Sequence, residues 1–152
     1  AEAGALEAVV AAMRAHAANT GVQERACWAL FIVCYCDDAA GLARKQRAVE
    51  TGAIEAVVAA MRAHAANTGV QEVACRALAN VCYGDDAAGL ARKQRAAEAG
   101  ALEAVVAAMR AHAADTGVQE VACRALGNVC AGDDAAGLAR KQRADVLRCN
   151  SG

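Results

Sequence analysis

Cysteine is the residue type in this chain with the widest chemistry, because a thiolate can ligate a metal, form a disulfide or attack an electrophile. Six of the eight cysteines form three pairs, each with a spacing of seven residues: Cys27/Cys34, Cys75/Cys82 and Cys123/Cys130. Seven residues of α-helix rise about 10 Å, which is too far for one disulfide or one metal centre. We therefore predict that the paired thiols are reduced, buried packing residues, and that Cys36 and Cys149 are exposed.

The histidines and the paired aspartates could also bind metals. His16, His64 and His112 recur every 48 residues. Neighbouring units of a helical array lie about 10 Å apart, too far for shared metal ligation, so each histidine is expected near a helix C-terminus instead. The Asp-Asp pairs at 37–38, 85–86 and 133–134 lack the alternating oxygen ligands of a calcium loop and are interpreted as helix caps. No metal site and no cofactor is predicted.

Basic runs such as Arg44-Lys45-Gln46-Arg47 could form a ridge that meets nucleic-acid phosphates. However, the chain has 16 Lys+Arg against 17 Asp+Glu, and no aromatic residues are interleaved with the runs. A solvated face is the preferred interpretation, and no nucleic-acid partner is expected. Phosphate-loop and nucleophile-elbow motifs are absent, and no thiol has a histidine at helical spacing, so the protein is not predicted to be an enzyme.

The N-terminal segment AEAGALEAVVAAMR lacks the basic region of a signal peptide. No stretch of about 18 uncharged apolar residues is present, so no membrane span is predicted. We expect a protein that is cytoplasmic when expressed in a cell, without a targeting signal. The missing initiator methionine favours a recombinant or synthetic source from which a residue or tag was removed.

The elements that position these residues come from a 48-residue repeat. The segment ALEAVVAAMRAHAANTGVQE at 5–24 returns, nearly unchanged, at 53–72 and 101–120. We predict one solenoid domain over 1–152, with units at 1–48, 49–96 and 97–144 and a tail at 145–152. The near-identity of the units is interpreted as an artificial consensus array or a very recent duplication.

Each unit is predicted to contain three helices, which in unit two cover residues 53–66, 70–83 and 87–97. Thr68 is the predicted N-cap of the helix over 70–83, and an Asp of the 85–86 pair caps the helix over 87–97. The last helix is predicted over 134–148. Hydrophobic residues make up 57% of the chain but aromatics only 3%, and proline is absent; this alanine-rich composition favours helix.

The segments GLARKQRAVETGAIEAVVAAM and VQEVACRALANVC resemble the armadillo repeat. This resemblance implies an all-α, right-handed α-solenoid of three-helix repeats, in which the third helices line a concave groove. The third helix of the family's repeat corresponds to residues 70–83 and their equivalents in the other units. A Trp and an Asn four residues later hold extended peptides in that family. The Trp position is occupied here by Trp28, Arg76 and Arg124, and the Asn position by Ile32, Asn80 and Asn128. The predicted peptide groove therefore consists of Arg76, Asn80, Tyr83, Arg124 and Asn128.

A helical wheel over residues 22–36 places the apolar residues shared by all units on one arc, which is the predicted core side. Positions that differ between units fall on the opposite side, here called the variable arc: Arg25, Trp28, Phe31, Ile32, Tyr35 and Cys36. Large exposed apolar side chains usually mark an interface, so we predict a homodimer in which unit one packs antiparallel against the small residues of unit three. Two alternatives remain: the arc fills a gap left by a missing first helix, or the protein is a peptide-binding module.

Overall fold

The structure is a computed structural model that describes residues 3–149. Residues 1–2 of the first predicted unit and residues 150–152 of the predicted tail lie outside the described part. Within it, the chain forms nine α-helices and no strand: α1 Ala3–Ala15, α2 Thr20–Val33, α3 Ala39–Glu50, α4 Ala53–Ala63, α5 Thr68–Val81, α6 Ala87–Glu98, α7 Ala101–Ala111, α8 Thr116–Cys130 and α9 Ala135–Cys149. The predicted all-α solenoid of three-helix repeats is confirmed.

The helix boundaries differ from the predicted ones by a few residues, and α5 starts earlier because its capping residue differs. Asn67, not Thr68, caps α5, since the Asn67 side-chain oxygen accepts a hydrogen bond from the Val70 amide at 2.9 Å. The prediction for Thr68 is therefore wrong, and α5 begins two residues early. Asp86 caps α6 by accepting from the Gly89 amide at 2.9 Å, as predicted for the aspartate pairs.

The third helices α2, α5 and α8 form one layer of the stack, with α5 between the other two. The second helices α1, α4 and α7 pack against them and supply aliphatic residues to one continuous core. Within each unit the first helix follows the third, as α3, α6 and α9. Gly52, at φ 82°, adopts the left-handed conformation that joins α3 to α4.

At each interface between successive units in the described part of the chain, a histidine of the later unit contacts the earlier unit. The ring of His64 contacts unit one twice: Nε2 lies 2.7 Å from the Ala17 carbonyl oxygen and Nδ1 lies 3.3 Å from Thr20 Oγ1. A carbonyl can only accept, so Nε2 carries the proton and Nδ1 accepts from the hydroxyl. His64 is the C-cap residue of α4, which confirms the predicted position near a helix C-terminus.

The first two basic residues of each Arg-Lys-Gln-Arg run fold back on the end of the preceding third helix. In unit two, Arg92 Nε donates to the Val81 carbonyl at 2.8 Å and Arg92 Nη2 donates to the Tyr83 carbonyl at 2.9 Å. Lys93 Nζ donates to the Gly84 carbonyl. The last carbonyls of a helix lack intrahelical partners and attract positive charge, so these bonds cap the C-terminus of α5.

These contacts correct the prediction that the basic runs form a solvated face. In the other units, Arg140 Nε donates to the Val129 carbonyl at 2.8 Å and Arg44 Nε donates to the Val33 carbonyl at 3.0 Å. Four side chains of the runs are buried: Lys45, Arg92, Lys93 and Arg140. The last arginine of each run does lie on the surface, where it pairs with a glutamate of a second helix: Arg47–Glu7, Arg95–Glu55 and Arg143–Glu103.

The cysteines follow the prediction in units one and two and depart from it in unit three. Four paired thiols are buried, and desolvation raises the pKa to about 12 for Cys27, Cys75 and Cys82 and to about 11 for Cys34. Cys36 and Cys149 are exposed, as predicted. Both unit-three thiols of the pairs were predicted to be buried, but Cys130 is half-buried. Cys123 is exposed, because no further third helix packs on the outer side of α8 within residues 3–149.

Candidate binding groove of the third helices

An open groove of about 600 Å³ crosses the layer of third helices. Its walls come from all three units: Tyr35, Cys36, Asp37, Asp38, Lys45, Asn80, Tyr83, Arg124 and Asn128. The groove exists because α2, α5 and α8 lie side by side, so that equivalent positions 48 residues apart become neighbours in space. Aromatic, amide and charged groups therefore meet along one surface.

Four of the five residues predicted for the peptide groove line this surface; Arg76 does not. The Arg76 guanidinium lies 2.5 Å from a carboxylate oxygen of Glu72, one helical turn earlier on α5. The equivalent pair in unit three is much looser, since Arg124 and Glu120 are 4.0 Å apart. Of these two arginines, Arg124 is therefore the less tightly paired.

The two asparagines have a structural role that the sequence did not reveal. Asn80 Nδ2 donates to the Phe31 carbonyl of unit one at 3.0 Å, and Asn128 Nδ2 donates to the Ala79 carbonyl of unit two at 2.7 Å. Both carbonyls lie in the last turn of a third helix, where an intrahelical donor is missing. Each asparagine thus caps the preceding unit. The sequence carries one signal for this role: asparagine occurs in both units that follow another unit of this chain, whereas Ile32 holds the position in unit one.

The variable arc is continuous with the groove. Trp28, Ile32 and Tyr35 are 45%, 52% and 66% exposed. The rings of Trp28, Phe31 and Tyr35 form a ladder along α2, with centroid distances of 5.2 Å and 6.0 Å. Tyr35 and Cys36 line the groove itself.

One position of the variable arc, Phe31, is not on the surface as predicted. Phe31 is half-buried and packs against the core. Its equivalent in unit two, Ala79, is only 1% exposed. In unit three the position is Gly127, where an added Cβ would meet no atom within 4 Å. This position faces the next unit along the stack, so its burial depends on whether such a unit packs there.

Charge is distributed unevenly along the groove. In unit one, Asp37 pairs with the buried Lys45, and Asp38 caps α3 by accepting from the Gly41 amide at 2.7 Å. The Lys45 ammonium also lies 5.2 Å from the centroid of the Tyr83 ring. Lys45, Asp37 and Asp38 were not predicted to line a binding surface, because each was assigned to solvent, a cap or a charge-balanced run.

Within residues 3–149, no cluster of three or more His, Cys, Asp or Glu side chains has a geometry that could hold a metal ion. None of the helices described combines the length and apolar character required of a membrane span. The groups that line the groove are hydrogen-bonding, charged and aromatic.

Comparison with protein-family models matches two segments, residues 43–83 and 92–131, to the Armadillo/beta-catenin-like repeat. Each segment runs from within a first helix to the end of the following third helix and so covers one structural repeat. No curated protein and no solved structure matches the chain. Repeats of this type commonly mediate protein–protein interaction and are generally non-enzymatic scaffolds. With more than half of its residues matched, the chain belongs to the armadillo repeat family.

Proposed function

We propose that this protein is a binding scaffold that holds an extended segment of a partner protein in the groove of the third helices. The observation that carries the proposal is that side chains from three successive units line one continuous, open groove. Tyrosine and arginine, which dominate the energetics of protein interfaces, are both present there.

The asparagine caps are compatible with this function. A side-chain amide has two N–H groups and an acceptor oxygen. In Asn80, one N–H is used for the Phe31 carbonyl, which leaves the second N–H and Oδ1 to bond the backbone of a peptide. The cap also holds the amide in one orientation, so less side-chain entropy is lost when the ligand binds.

Selection from a random peptide library, followed by calorimetric titration of the selected peptides, tests the proposal. Tyr83→Ala and Arg124→Ala are expected to weaken binding at least tenfold, since each removes a side chain that lines the groove. Leu138→Ala is the control, because Leu138 is 53% exposed on α9 and does not line the groove. A library that yields no binder, or binders unaffected by the two groove substitutions, would contradict the proposal.

A second candidate function, self-association through the variable arc, is supported by the exposure of its large apolar residues. Because about half of each side chain is already covered, burial of Trp28, Ile32 and Tyr35 in a homodimer contributes roughly 2–5 kcal/mol per chain before association costs, at about 1.5–3 kcal/mol for a fully exposed side chain. An antiparallel arrangement sets this surface against unit three, where Gly127 leaves open space.

Molar mass in solution as a function of concentration tests this second candidate. The expected result is a dimer that the double substitution Trp28→Ala/Ile32→Ala converts to a monomer, while Leu138→Ala leaves it dimeric. A monomer at high micromolar concentration rules out the homodimer and leaves the peptide groove unaffected. Phe31 is avoided in this test because it packs against the core.

A further inference from the structure

We infer that the groove selects a peptide of mixed charge, with a basic side chain at the unit-one end and an acidic side chain at the unit-three end. This inference rests on the proposed peptide-binding function and specifies the chemistry of the partner. At each end of the groove, some charged side chains are paired within the protein and others remain for a ligand. The inference follows from this difference.

The unit-one end presents a net negative charge beside an aromatic ring. Two carboxylates, Asp37 and Asp38, line the groove there together with one ammonium group, Lys45. The Lys45 side chain is 1% exposed and is held by Asp37, so a ligand meets the carboxylates and not the amine. The Tyr35 ring, 66% exposed, adds a face on which a guanidinium or ammonium can rest. This combination suits an arginine or lysine side chain.

The unit-three end presents an arginine with little competition for it. The Arg124 side chain is 55% exposed, and Glu120 lies 4.0 Å away and does not line the groove. Arg76, at the equivalent position of unit two, is instead held 2.5 Å from Glu72. A guanidinium with free donors binds a carboxylate in a bidentate manner, so this end suits a glutamate or aspartate side chain.

The spacing of the two ends sets the spacing of the two charges in the ligand. Adjacent packed helices lie about 8–10 Å apart, so units one and three are separated by roughly 16–20 Å. An extended peptide advances about 3.3 Å per residue. The basic and acidic side chains are therefore expected about five or six residues apart.

A library of extended peptides with charged residues at these two positions tests the inference. The expected result is that peptides with one arginine and one glutamate bind at least tenfold more tightly than peptides with two arginines or two glutamates. The substitution Arg124→Glu is expected to reverse the preference, so that the peptide with two arginines binds best. Arg76→Glu is the matched control, because Arg76 occupies the same repeat position outside the groove and its replacement leaves the preference unchanged.

Cysteine alkylation locates the basic end of the bound peptide. Cys36 lines the unit-one part of the groove, and in a Cys123→Ser/Cys149→Ser background it is the exposed thiol that remains among residues 3–149. A peptide that carries a bromoacetyl group beside its arginine is expected to alkylate Cys36, with loss of bromide, at least tenfold faster than one that carries the group beside its glutamate.

The outcomes separate this inference from the function on which it rests. Peptides that bind in the groove without preference for mixed charge, or that alkylate Cys36 equally fast from either end, overturn the inference and leave the scaffold function in place. Absence of any binding that depends on Tyr83 overturns both.

Discussion

The third helices α2 and α5 occupy the same position in two nearly identical units, yet they differ in how deeply they are buried. Eight residues of α5 are buried, against four of α2. The reason is their number of neighbours within residues 3–149: α5 packs between α2 and α8, whereas α2 has one third helix beside it. The place of a helix in the stack therefore decides which of its residues belong to the core.

The residue types at equivalent positions of α2 and α5 differ as well. Asn80 is polar where a carbonyl of the preceding unit needs a donor, and Ile32 is apolar and exposed at the same position of unit one. Ala79 and Phe31 each face the following third helix, but Ala79 is small and buried whereas Phe31 is large and half-buried. Substitutions at such paired positions test whether the place of a helix in the stack causes these differences.

The largest effect is expected for the arginines that cap the two helices. Arg92 is buried and donates two hydrogen bonds to the end of α5, so Arg92→Ala should lower the free energy of unfolding by about 3–5 kcal/mol. Arg44→Ala should cost about half as much, because Arg44 is half-buried and donates one bond, to Val33. Urea denaturation measures both. Arg95→Ala, which removes an exposed ion pair with Glu55, should cost less than about 1 kcal/mol; equal losses for all three would refute the capping role.

A swap of side-chain size at one repeat position should have the next largest effect. Ala79→Phe introduces the residue found in α2 into a buried site of α5, and the overpacking should cost about 1–3 kcal/mol of stability. Gly127→Phe at the same position of α8 should cost less than about 0.5 kcal/mol, since open space surrounds it. Thermal and urea denaturation of the two variants provide the comparison. A tolerated Ala79→Phe would show that α8 does not pack closely over this position.

The thiols at the ends of the two helices should make stability depend on alkaline pH. Burial raises the pKa of Cys82 to about 12 and that of Cys34 to about 11, from the ordinary value of 9.0. The folded state then retains protons that the unfolded state releases, so this stabilisation is complete below pH 9 and declines as the pH rises through that value. For Cys82 the decline continues to about pH 12, with a slope of roughly 1.4 kcal/mol per pH unit.

Urea denaturation between pH 8.5 and about 10.5 measures this dependence. Cys82→Ala should flatten the slope, whereas replacement of the exposed Cys36 should leave it unchanged. An unchanged slope in Cys82→Ala would mean that this thiol is not buried in the folded protein.

The smallest effect is expected for the inter-unit asparagine. Asn80→Ala removes the donor to the Phe31 carbonyl and should cost about 0.5–1.5 kcal/mol of stability. Ile32→Ala, at the equivalent exposed position, should change stability by less than about 0.5 kcal/mol. Differential scanning calorimetry resolves the two if the proteins are compared at one concentration. If Ile32→Ala proved the more destabilising, Ile32 would be packed in an interface between copies.

Helix content, repeat period and the aspartate caps could be predicted because they depend on local chemistry. Alanine-rich segments with apolar residues at helical spacing form helices, and Asp86 caps α6 through an amide three residues away. The exposure of Trp28, Ile32 and Tyr35 could also be predicted, since a helical wheel separates the two sides of α2.

The contacts between units could not be predicted in the same way. Asn80 and Phe31 are 49 residues apart, and only the packing of α5 against α2 brings the amide to the carbonyl. Arg92 reaches the end of α5 because the chain reverses between α5 and α6, and the same reversal turns Lys93 from a surface charge into a buried cap. The repeat, its helices and their apolar sides follow from local sequence alone. Tertiary packing alone decided which polar groups became caps and which remained on the groove, because a buried carbonyl must find a donor and that donor comes from whichever unit packs beside it.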